Sequence, residues 1–335
     1  MELFLSNSPL IIITGAAGFI GSAIAWRLNQ SGYRNLLLVD QIGSEATSKN
    51  LVGLFYTEFI DKVDFLSRVQ AGKYDASNIA ALFHLGACSS TMEMDEQFLS
   101  KNNFEYTQTL AEFCCNRKNP IRFIYASSAA TYGDGSQGYS DSHENIRNLR
   151  PLNPYGYSKQ NFDLWALENG YLEKIVGLKY FNVFGPNEYH KGDMRSMVLK
   201  AYEKIKQTDR MELFKSHRPE YQDGEQVRDF IYIKDAVEMT LFFLTYPNAN
   251  GIYNIGTGIA HSWLSMANAL FHAMQLPPKI DFVPMPETLR DKYQYHTCAD
   301  ISKLRRAGYS DPIRSLDASV LDYTLYLNAN YKILS

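Results

Sequence analysis

The chain has 335 residues, 45% of them hydrophobic, so it can bury a large core and form one large domain or two coupled domains. Its 33 Lys and Arg residues nearly balance its 36 Asp and Glu residues, and no basic excess points to nucleic acid. Apolar runs stay far below the roughly 18 residues of a membrane span, and residues 1–9 lack a basic segment before an apolar one, so we expect a cytoplasmic protein without membrane contact.

Strand-like apolar runs alternate with helical stretches through the first half of the chain. The predicted strands are residues 10–13, 35–39, 81–84, 121–126 and 175–181, and the predicted helices are residues 21–30, 105–117 and 155–169. This alternation is typical of β–α–β units in a parallel sheet. Because the strands are nearly all apolar, helices should cover both faces of the sheet. The sequence therefore predicts an α/β fold with a Rossmann-type doubly wound parallel sheet.

The alternation weakens after residue 182. A helix is predicted at 194–206, one more β–α–β element at 230–255, and a mixed, mainly helical tail at 263–327. These changes predict a discontinuous arrangement of two domains. The nucleotide-binding domain would comprise residues 1–181 and 229–257, and a smaller, mixed α/β substrate domain would comprise residues 182–228 and 258–335.

The segment 14–21, TGAAGFIG, follows the first predicted strand and opens a helix. Gly15, Gly18 and Gly21 suit a tight turn, a close approach of a pyrophosphate to the backbone, and close packing of helix on strand. The phosphates would then meet free N–H groups at a helix N-terminus. Asp40 ends the second strand 19 residues after Gly21, where an acidic side chain contacts the adenosine ribose. The sequence therefore predicts a dinucleotide site.

The choice between NAD and NADP stays open at this point. A carboxylate at Asp40 accepts a hydrogen bond from the ribose 2′-hydroxyl and repels a 2′-phosphate, which favours NAD. Lys49 and Lys62 lie downstream and would neutralise a 2′-phosphate if the chain brought them back to the site.

Tyr155 and Lys159 lie four residues apart and share one face of a predicted helix, whereas Tyr157 points elsewhere. A free tyrosine has a pKa near 10, and a nearby ammonium favours the phenolate. Tyr155 is therefore predicted to take a proton from a substrate hydroxyl, with Lys159 as its partner. The same spacing is common on helix surfaces, but its occurrence together with the glycine-rich loop favours a catalytic pair.

A serine pair follows the predicted strand 121–126. Because ligands of open α/β sheets bind at the carboxyl ends of strands, a hydroxyl there can contact both Tyr155 and the reacting oxygen. Ser128 is the predicted third catalytic residue. Ser127 and Thr131 are interpreted as loop caps.

The four cysteines are Cys88, Cys114, Cys115 and Cys298. Four cysteines in a chain of this length do not indicate a disulfide framework, and their spacing is not typical of a metal site. We therefore expect no metal, and we expect all four to be buried small apolar side chains.

Together these motifs resemble the extended short-chain dehydrogenase/reductase superfamily, and within it the ADP-heptose 6-epimerase family. The resemblance spans nearly the whole chain, through HLGACSST at 84–91, YASSAATYG at 125–133, YFNVFGP at 180–186, HKG at 190–192, RDF at 228–230, NIGTG at 254–258 and YQ at 293–294. It implies inversion at C6″ of ADP-heptose, a precursor of lipopolysaccharide, through a transient ketone. It also implies NADP as the cofactor and a closed homo-oligomer, such as a pentamer.

The resemblance also assigns residues to the site. Lys191 matches the position of a second acid/base group, although composition alone would make it a solvated loop lysine. The residues implied to line the cofactor are Phe19, Ile20, Asp40, Gln41, Lys62, Leu85, Gly86, Ala87, Cys88, Ser89, Asn102, Lys159, Val183 and Lys191. The residues implied to contact the substrate are Ser128, Asn182, Asp193, Lys200, Phe214, Arg228 and Tyr293. Asp193, Lys200 and residues 215–217 depart from the family's usual residues, so the nucleotide and the sugar stay open.

Two alternatives remain. The first is another nucleotide-sugar enzyme, such as a hexose 4-epimerase, which would not need Lys191, or a 4,6-dehydratase, which would need an acid/base pair where Ala129 and Ala130 stand. The second is a non-catalytic NADP-binding regulator, a kind of protein that usually lacks the tyrosine or the lysine.

Overall fold

The computed structural model of the protein describes residues 8–41, 49–75, 77–290 and 293–335. Residues 1–7, on which the prediction of no secretory segment partly rests, lie outside this range. Among the described residues, none of the helices combines the length and the apolar character that a membrane span requires.

The strands alternate with helices along most of the chain. The strands are β1 (Leu10–Thr14), β2 (Leu36–Asp40), β3 (Glu58–Asp61), β4 (Ile79–His84), β5 (Arg122–Ser128), β6 (Val176–Tyr180), β7 (Asn182–Phe184), β8 (Met211–Phe214), β9 (Val227–Arg228), β10 (Phe230–Tyr232), β11 (Gly251–Ile255), β12 (His261–Ser262) and β13 (Ile280–Val283). The helices are α1 (Phe19–Gln30), α2 (Lys62–Gln70), α3 (Glu96–Leu99), α4 (Tyr106–Cys115), α5 (Pro154–Glu168), α6 (Met197–Thr208), α7 (Ile233–Thr245), α8 (Trp263–Ala273), α9 (Glu287–Arg290), α10 (Ser302–Arg306) and α11 (Leu316–Asn328).

A seven-stranded parallel sheet organises the described part of the chain. Its strands lie side by side in the order β3–β2–β1–β4–β5–β6–β11. The order of the strands reverses between β1 and β4, and in such sheets the ligand crevice lies at the carboxyl ends of the strands at this switch point. The predicted doubly wound parallel sheet is therefore confirmed.

Alternate residues of β2 belong to two different apolar layers. Leu36 and Leu38 pack into the layer on one face of the sheet, whereas Leu37 and Val39 pack into the layer on the other face. Since successive strand residues point to opposite faces, a strand covered on both sides must be apolar throughout. This is why the strands show continuous apolar runs instead of alternation.

Within the described ranges, three two-stranded sheets lie outside the large sheet. β7 pairs with β10 and β8 with β13, both in parallel, and β9 pairs with β12 in antiparallel fashion. β11 returns to the edge of the large sheet beside β6. The domain boundaries proposed from the sequence stay a prediction.

The edge of the sheet was not predicted from the sequence. β3 and α2 have the sequence EFIDKVDFLSRVQ, in which charged residues interrupt the apolar ones, and this edge of the sheet is partly exposed. The side chain of Asp61 begins α2 by accepting a hydrogen bond from the backbone N–H of Val63 at 2.8 Å. The predicted helix at 105–117 also begins differently, because a π-helical turn at Ser100–Glu105 joins α3 to α4.

Candidate active site

A cavity of about 790 Å³ opens at the carboxyl ends of β1, β4 and β5. All the predicted catalytic and cofactor-binding residues line it: Gly15, Gly18, Phe19, Ile20, Gly21, Asp40, Gln41, Lys62, Leu85, Gly86, Ala87, Cys88, Ser89, Asn102, Ser128, Tyr155, Lys159, Val183 and Lys191. Segments far apart in the sequence therefore meet at one place, and the volume suits a nucleotide-sized ligand.

The glycine-rich loop leaves no room for a side chain at Gly15 or Gly21. A Cβ atom on Gly15 would lie 2.6 Å from the backbone nitrogen of Gly86, and one on Gly21 would lie 2.1 Å from the carbonyl oxygen of Gly15. Gly15 also has a φ of +67°, which L-residues rarely adopt. The loop therefore packs backbone against backbone at the start of α1, and this cradle fits the pyrophosphate of a dinucleotide.

Asp40 and Lys62 lie at one end of the cavity. The carboxylate of Asp40 accepts hydrogen bonds from the backbone N–H groups of Ala17 at 2.9 Å and Gln41 at 2.7 Å. The Lys62 ammonium donates to the side-chain oxygen of Asn102 at 3.0 Å. Of the two lysines considered from the sequence, Lys62 lines the cavity, whereas Lys49 is exposed and does not.

Tyr155 and Lys159 project from the first two turns of α5. The side chain of Asn153 caps this helix by accepting a hydrogen bond from the N–H of Gly156 at 2.8 Å. Tyr155 and Lys159 are both buried, whereas Tyr157 is 47% exposed, which confirms the predicted difference between the two tyrosines. The Lys159 ammonium donates to the carbonyl oxygen of Ala126 on β5 at 2.9 Å.

Burial dominates the electrostatics of this pair. Burial raises the pKa of Tyr155, and a hydrogen bond with Ser128 partly opposes the increase. Burial lowers the pKa of Lys159 to about 8, with the negative charge of Asp163 acting in the opposite direction. Lys159 therefore still carries its charge at neutral pH, and a positive charge on the helix face that it shares with Tyr155 is what would stabilise a phenolate there.

The side chains around Ser128 make two kinds of contact, within the loop and with α5. The Ser128 hydroxyl accepts a hydrogen bond from the N–H of Ala130 at 3.1 Å, and Thr131 donates to the carbonyl oxygen of Ser128 at 2.8 Å. Ser127, however, donates to the buried carboxylate of Asp163 at 2.7 Å. The interpretation of Ser127 as a loop cap is therefore wrong, because the pleat of β5 turns its side chain toward α5.

Lys191 lies in a helical turn, Tyr189–Met194, and lines the same cavity. Its ammonium is 5.4 Å from the centre of the Phe19 ring at the start of α1. Burial lowers the pKa of Lys191, and the buried carboxylate of Glu188 opposes the decrease. A fully solvated loop lysine would not be in these surroundings.

The predicted substrate residues are only partly in the cavity. Asn182 lines it, whereas Arg228, Tyr293 and Phe214 do not, although they cluster with Trp263, which lines it. The Arg228 guanidinium is 5.5 Å from the Trp263 ring centre and 5.3 Å from that of Tyr293. The Trp263 indole donates to the Tyr293 hydroxyl at 2.9 Å, and Phe214 packs edge-on against Tyr293.

Asp193 and Lys200 do not line the cavity. The Lys200 ammonium donates to the backbone carbonyl of Asp193 at 2.6 Å, and Asp193 is exposed. Their assignment to the substrate stays a prediction from the resemblance alone.

Asn103 was missed by the sequence analysis. It is 1% exposed and lies in the π-helical turn. Its side chain donates to the carbonyl oxygen of Cys88 at 3.0 Å and to the hydroxyl of Ser158 at 2.9 Å, and accepts from the N–H of Cys88 at 2.9 Å. Asn103 thereby joins the turn after β4 to the helix of Tyr155. A polar residue near a helix start gave no sign of this role.

The cysteines differ from the expectation. Cys114 is buried, but Cys88, Cys115 and Cys298 are only half-buried, and Cys88 lines the cavity. The prediction that all four are buried is therefore wrong for three of them. The described residues contain no cluster of three or more metal-ligating side chains.

A glycine-rich loop at the switch point of a parallel sheet defines a Rossmann-type, dinucleotide-binding protein. Residues 11–256 match the NAD dependent epimerase/dehydratase family, and the chain belongs to this family.

Several relatives resemble the chain over nearly its whole length. It is 48% identical over 314 residues to the ADP-L-glycero-D-manno-heptose-6-epimerase of Nitratidesulfovibrio vulgaris, covering 94% of this chain and 96% of that protein. The crystal structure of the Helicobacter pylori enzyme of the same name superposes with a TM-score of 0.79 at 28% identity, covering 96% of this chain and 97% of that one. The UDP-glucuronic acid 4-epimerase from Bacillus cereus, in complex with UDP-glucuronic acid and NAD, superposes with a TM-score of 0.73 at 25% identity, covering 96% and 100%.

Proposed function

We propose that this chain is an isomerase that inverts C6″ of ADP-glycero-manno-heptose by transient oxidation to a ketone. The observation that carries the proposal is the 48% identity to a heptose 6-epimerase over 94% of the chain. The geometry supports it, because Tyr155 and Lys191, the two candidate acid/base groups, reach one cavity from different segments. A 4-epimerase has no evident use for the second group.

The proposed cofactor is NADP, within a family that is NAD-dependent by description. The backbone at Gly15, Gly18 and Gly21 would hold the pyrophosphate, and Lys62 would neutralise the 2′-phosphate despite the neighbouring carboxylate of Asp40. When bound, the nicotinamide supplies an acceptor and then a donor for one hydride.

Side chains of the protein would carry out the proton transfers. Ser128 would hold the substrate oxygen, and Tyr155 would take the proton from the C6″ hydroxyl. Lys159 would stabilise the resulting phenolate through its positive charge. Lys191 would give a proton to the same oxygen after the ketone has turned its other face, so that one proton leaves and one returns. The reverse reaction would exchange the roles of Tyr155 and Lys191.

The surroundings of Arg228 support a substrate that carries a nucleotide diphosphate. Arg228 is buried between two aromatic rings, and its guanidinium donates only to the carbonyl oxygen of Val227 among the described residues, at 2.8 Å. A guanidinium with free donors suits a diphosphate. Asp229, the next residue in the chain, does not pair with Arg228, and its carboxylate instead accepts hydrogen bonds from Thr257, Gly258 and Ala299. The homo-oligomer and the cytoplasmic location stay predictions.

The purified chain would be incubated with ADP-D-glycero-β-D-manno-heptose, without added cofactor, while NMR follows the C6″ proton. We expect a mixture of the two C6″ epimers. The cofactor released by denaturation would then be identified as NADP or NAD. No conversion, even with NADP added, would contradict the proposed substrate, and Asp193, Lys200 and residues 215–217 would then be the first positions to examine.

A further inference from the structure

A buried ion pair lies one helical turn beyond Lys159. Asp163 on α5 and Lys179 on β6 are almost completely inaccessible to solvent, and their charged atoms are 3.3 Å apart. The Asp163 carboxylate also accepts hydrogen bonds from the hydroxyls of Tyr125 at 2.8 Å and Ser127 at 2.7 Å. Burying an ion pair is costly unless further hydrogen bonds satisfy both charges. Here the carboxylate is fully satisfied by donors from β5 and β6.

This pair holds the strand that carries Ser128. The Lys179 ammonium donates to the hydroxyl of Thr131 at 2.6 Å, and Thr131 in turn donates to the carbonyl oxygen of Ser128. On the preceding residue, Ser127 donates to Asp163. Ser128 is therefore fixed from both sides by groups that end at the ion pair.

The same pair lies next to the charge of Lys159. Lys159 and Asp163 are four residues apart on α5, so their side chains share one face of the helix. The titratable groups that act on Lys159 are Asp163 from its own helix, Cys88 from the turn after β4, and His84 from β4. Tyr155 lies four residues before Lys159 on the same face of α5. Asp163 is the only carboxylate in this set, and it is shared with a second ammonium.

We propose that Asp163 and Lys179 are a positioning pair that sets the charge of Lys159 and thereby the reactivity of Tyr155. This inference rests on the proposed function of Tyr155 as the base. Asp163 holds Lys159 in its protonated form, and Lys179 limits this effect by neutralising part of the same carboxylate. The two members of the pair therefore act on Lys159 in opposite directions.

The two single substitutions should shift the titration of Lys159 in opposite senses. Asp163→Asn keeps the size of the side chain and removes the negative charge, so the pKa of Lys159 should fall below its value of about 8. A nearby opposite charge shifts a pKa by roughly one to three units, which sets the expected size of the change. Lys179→Met removes the competing positive charge, so the pKa of Lys159 should rise. The double variant should give an intermediate value.

The measurement is NMR of protein labelled with ¹³C at the lysine ε-carbons, titrated between pH 4 and 11 so that a midpoint roughly one to three units below about 8 is covered. The Lys159 signal is assigned by its loss in Lys159→Met. The alkaline limb of the epimerisation rate is recorded for the same variants and should move with the Lys159 midpoint. Tyr125→Phe is the matched control, since it removes one hydrogen bond to Asp163 without changing a charge and should leave the midpoint in place.

Shifts of opposite sign in the two single variants would support the inference, because a purely structural role gives no reason for them. Shifts of the same sign, or no shift, would overturn it. If Asp163→Asn does not fold, Lys179→Met and the double variant decide, because the midpoint must rise in the first and fall back in the second. If the unaltered chain does not epimerise ADP-heptose, the proposed substrate fails, while the NMR titration still tests the pair.

Discussion

Asn187 donates from its side chain to the hydroxyl of Ser22 on α1 at 2.9 Å, and so ties the segment that carries Lys191 to the helix of the glycine-rich loop. The side-chain oxygen of Asn187 accepts from the N–H of Leu334 at 2.9 Å. Asn50 donates at 3.0 Å both to the carbonyl oxygen of Asn187 and to that of Ala17. These buried contacts hold the segment that carries Lys191 against the glycine-rich loop and α1.

Replacing Asn187 should therefore loosen the site. Asn187 has a φ of 80°, which glycine adopts without strain, so Asn187→Gly removes the buried side chain and its hydrogen bonds without straining the backbone. We expect the free energy of unfolding to fall by about 1–3 kcal/mol and bound cofactor to dissociate faster, as measured by urea denaturation and cofactor fluorescence. Asn330→Gly is the control, since Asn330 also has a positive φ but is exposed. Equal stability of the two variants would contradict the proposed contact.

Tyr155→Phe removes the candidate base and keeps the ring. The rate of epimerisation should fall by roughly 10²–10⁴-fold, the usual contribution of general acid–base catalysis, whereas the cofactor content of the purified protein should not change. Tyr157→Phe alters an exposed ring two residues away and should retain the parent rate. If both variants epimerise at the parent rate, Tyr155 is not the base.

Lys191→Met tests the second acid/base group, because methionine keeps most of the length and loses the charge. The rate should fall by at least roughly 10²-fold in both reaction directions, as measured by NMR starting from either epimer. Lys204→Ala, which changes an exposed lysine, should have no such effect. Parent activity in Lys191→Met would exclude the mechanism with two groups and favour a single base, Tyr155.

Lys62→Ala tests the preference for NADP. Loss of the charge at the end of the cavity should weaken NADPH binding by roughly tenfold, or about 1.4 kcal/mol, and should weaken NADH binding less. Fluorescence titrations of protein freed of cofactor would measure both affinities. Lys49→Ala should leave both affinities unchanged, because Lys49 does not line the cavity. Equal losses for NADPH and NADH would argue against a contact of Lys62 with a 2′-phosphate.

His84 should make the protein sensitive to acid. Burial lowers its pKa to about 3, with the charge of Lys159 acting in the same direction, whereas in the unfolded chain its pKa is about 6.5. The unfolded state therefore binds one more proton between these values. The stability that neutral His84 contributes is complete above about pH 6.5 and is lost as the pH falls toward 3.

The corresponding test is His84→Gln, which removes this titration. Between roughly pH 6 and 4, the slope of the free energy of unfolding against pH should then be smaller than in the unaltered protein. The difference should be about 1.4 kcal/mol per pH unit. Urea denaturation at several pH values would measure the slope. His272→Gln, at an exposed position on α8, should keep the parent slope. An unchanged slope in His84→Gln would mean that His84 is not held neutral in the folded protein.

Local patterns in the sequence carried the prediction of the cofactor loop and the Tyr155–Lys159 pair. Glycine positions in a tight turn and a spacing of four on a helix are constraints between near neighbours in the chain, so they are visible without the fold. The doubly wound sheet followed in the same way, because strands buried on both faces must be apolar throughout. The sequence by itself thus determined the type of fold, the place of the dinucleotide loop and the helix that carries the candidate base.

Only the tertiary structure decided which distant polar residues meet. Asp163 and Lys179 form one buried pair from a helix and a strand, and Asn187 reaches a serine 165 positions earlier in the chain. Spacing alone left both Lys49 and Lys62 as candidates for a 2′-phosphate, and the structure shows that Lys62, at the start of α2, lines the cavity whereas Lys49 does not. A buried polar side chain is stable only where the fold supplies its hydrogen-bond partners. Those partners come from distant parts of the chain, so local sequence patterns do not identify them.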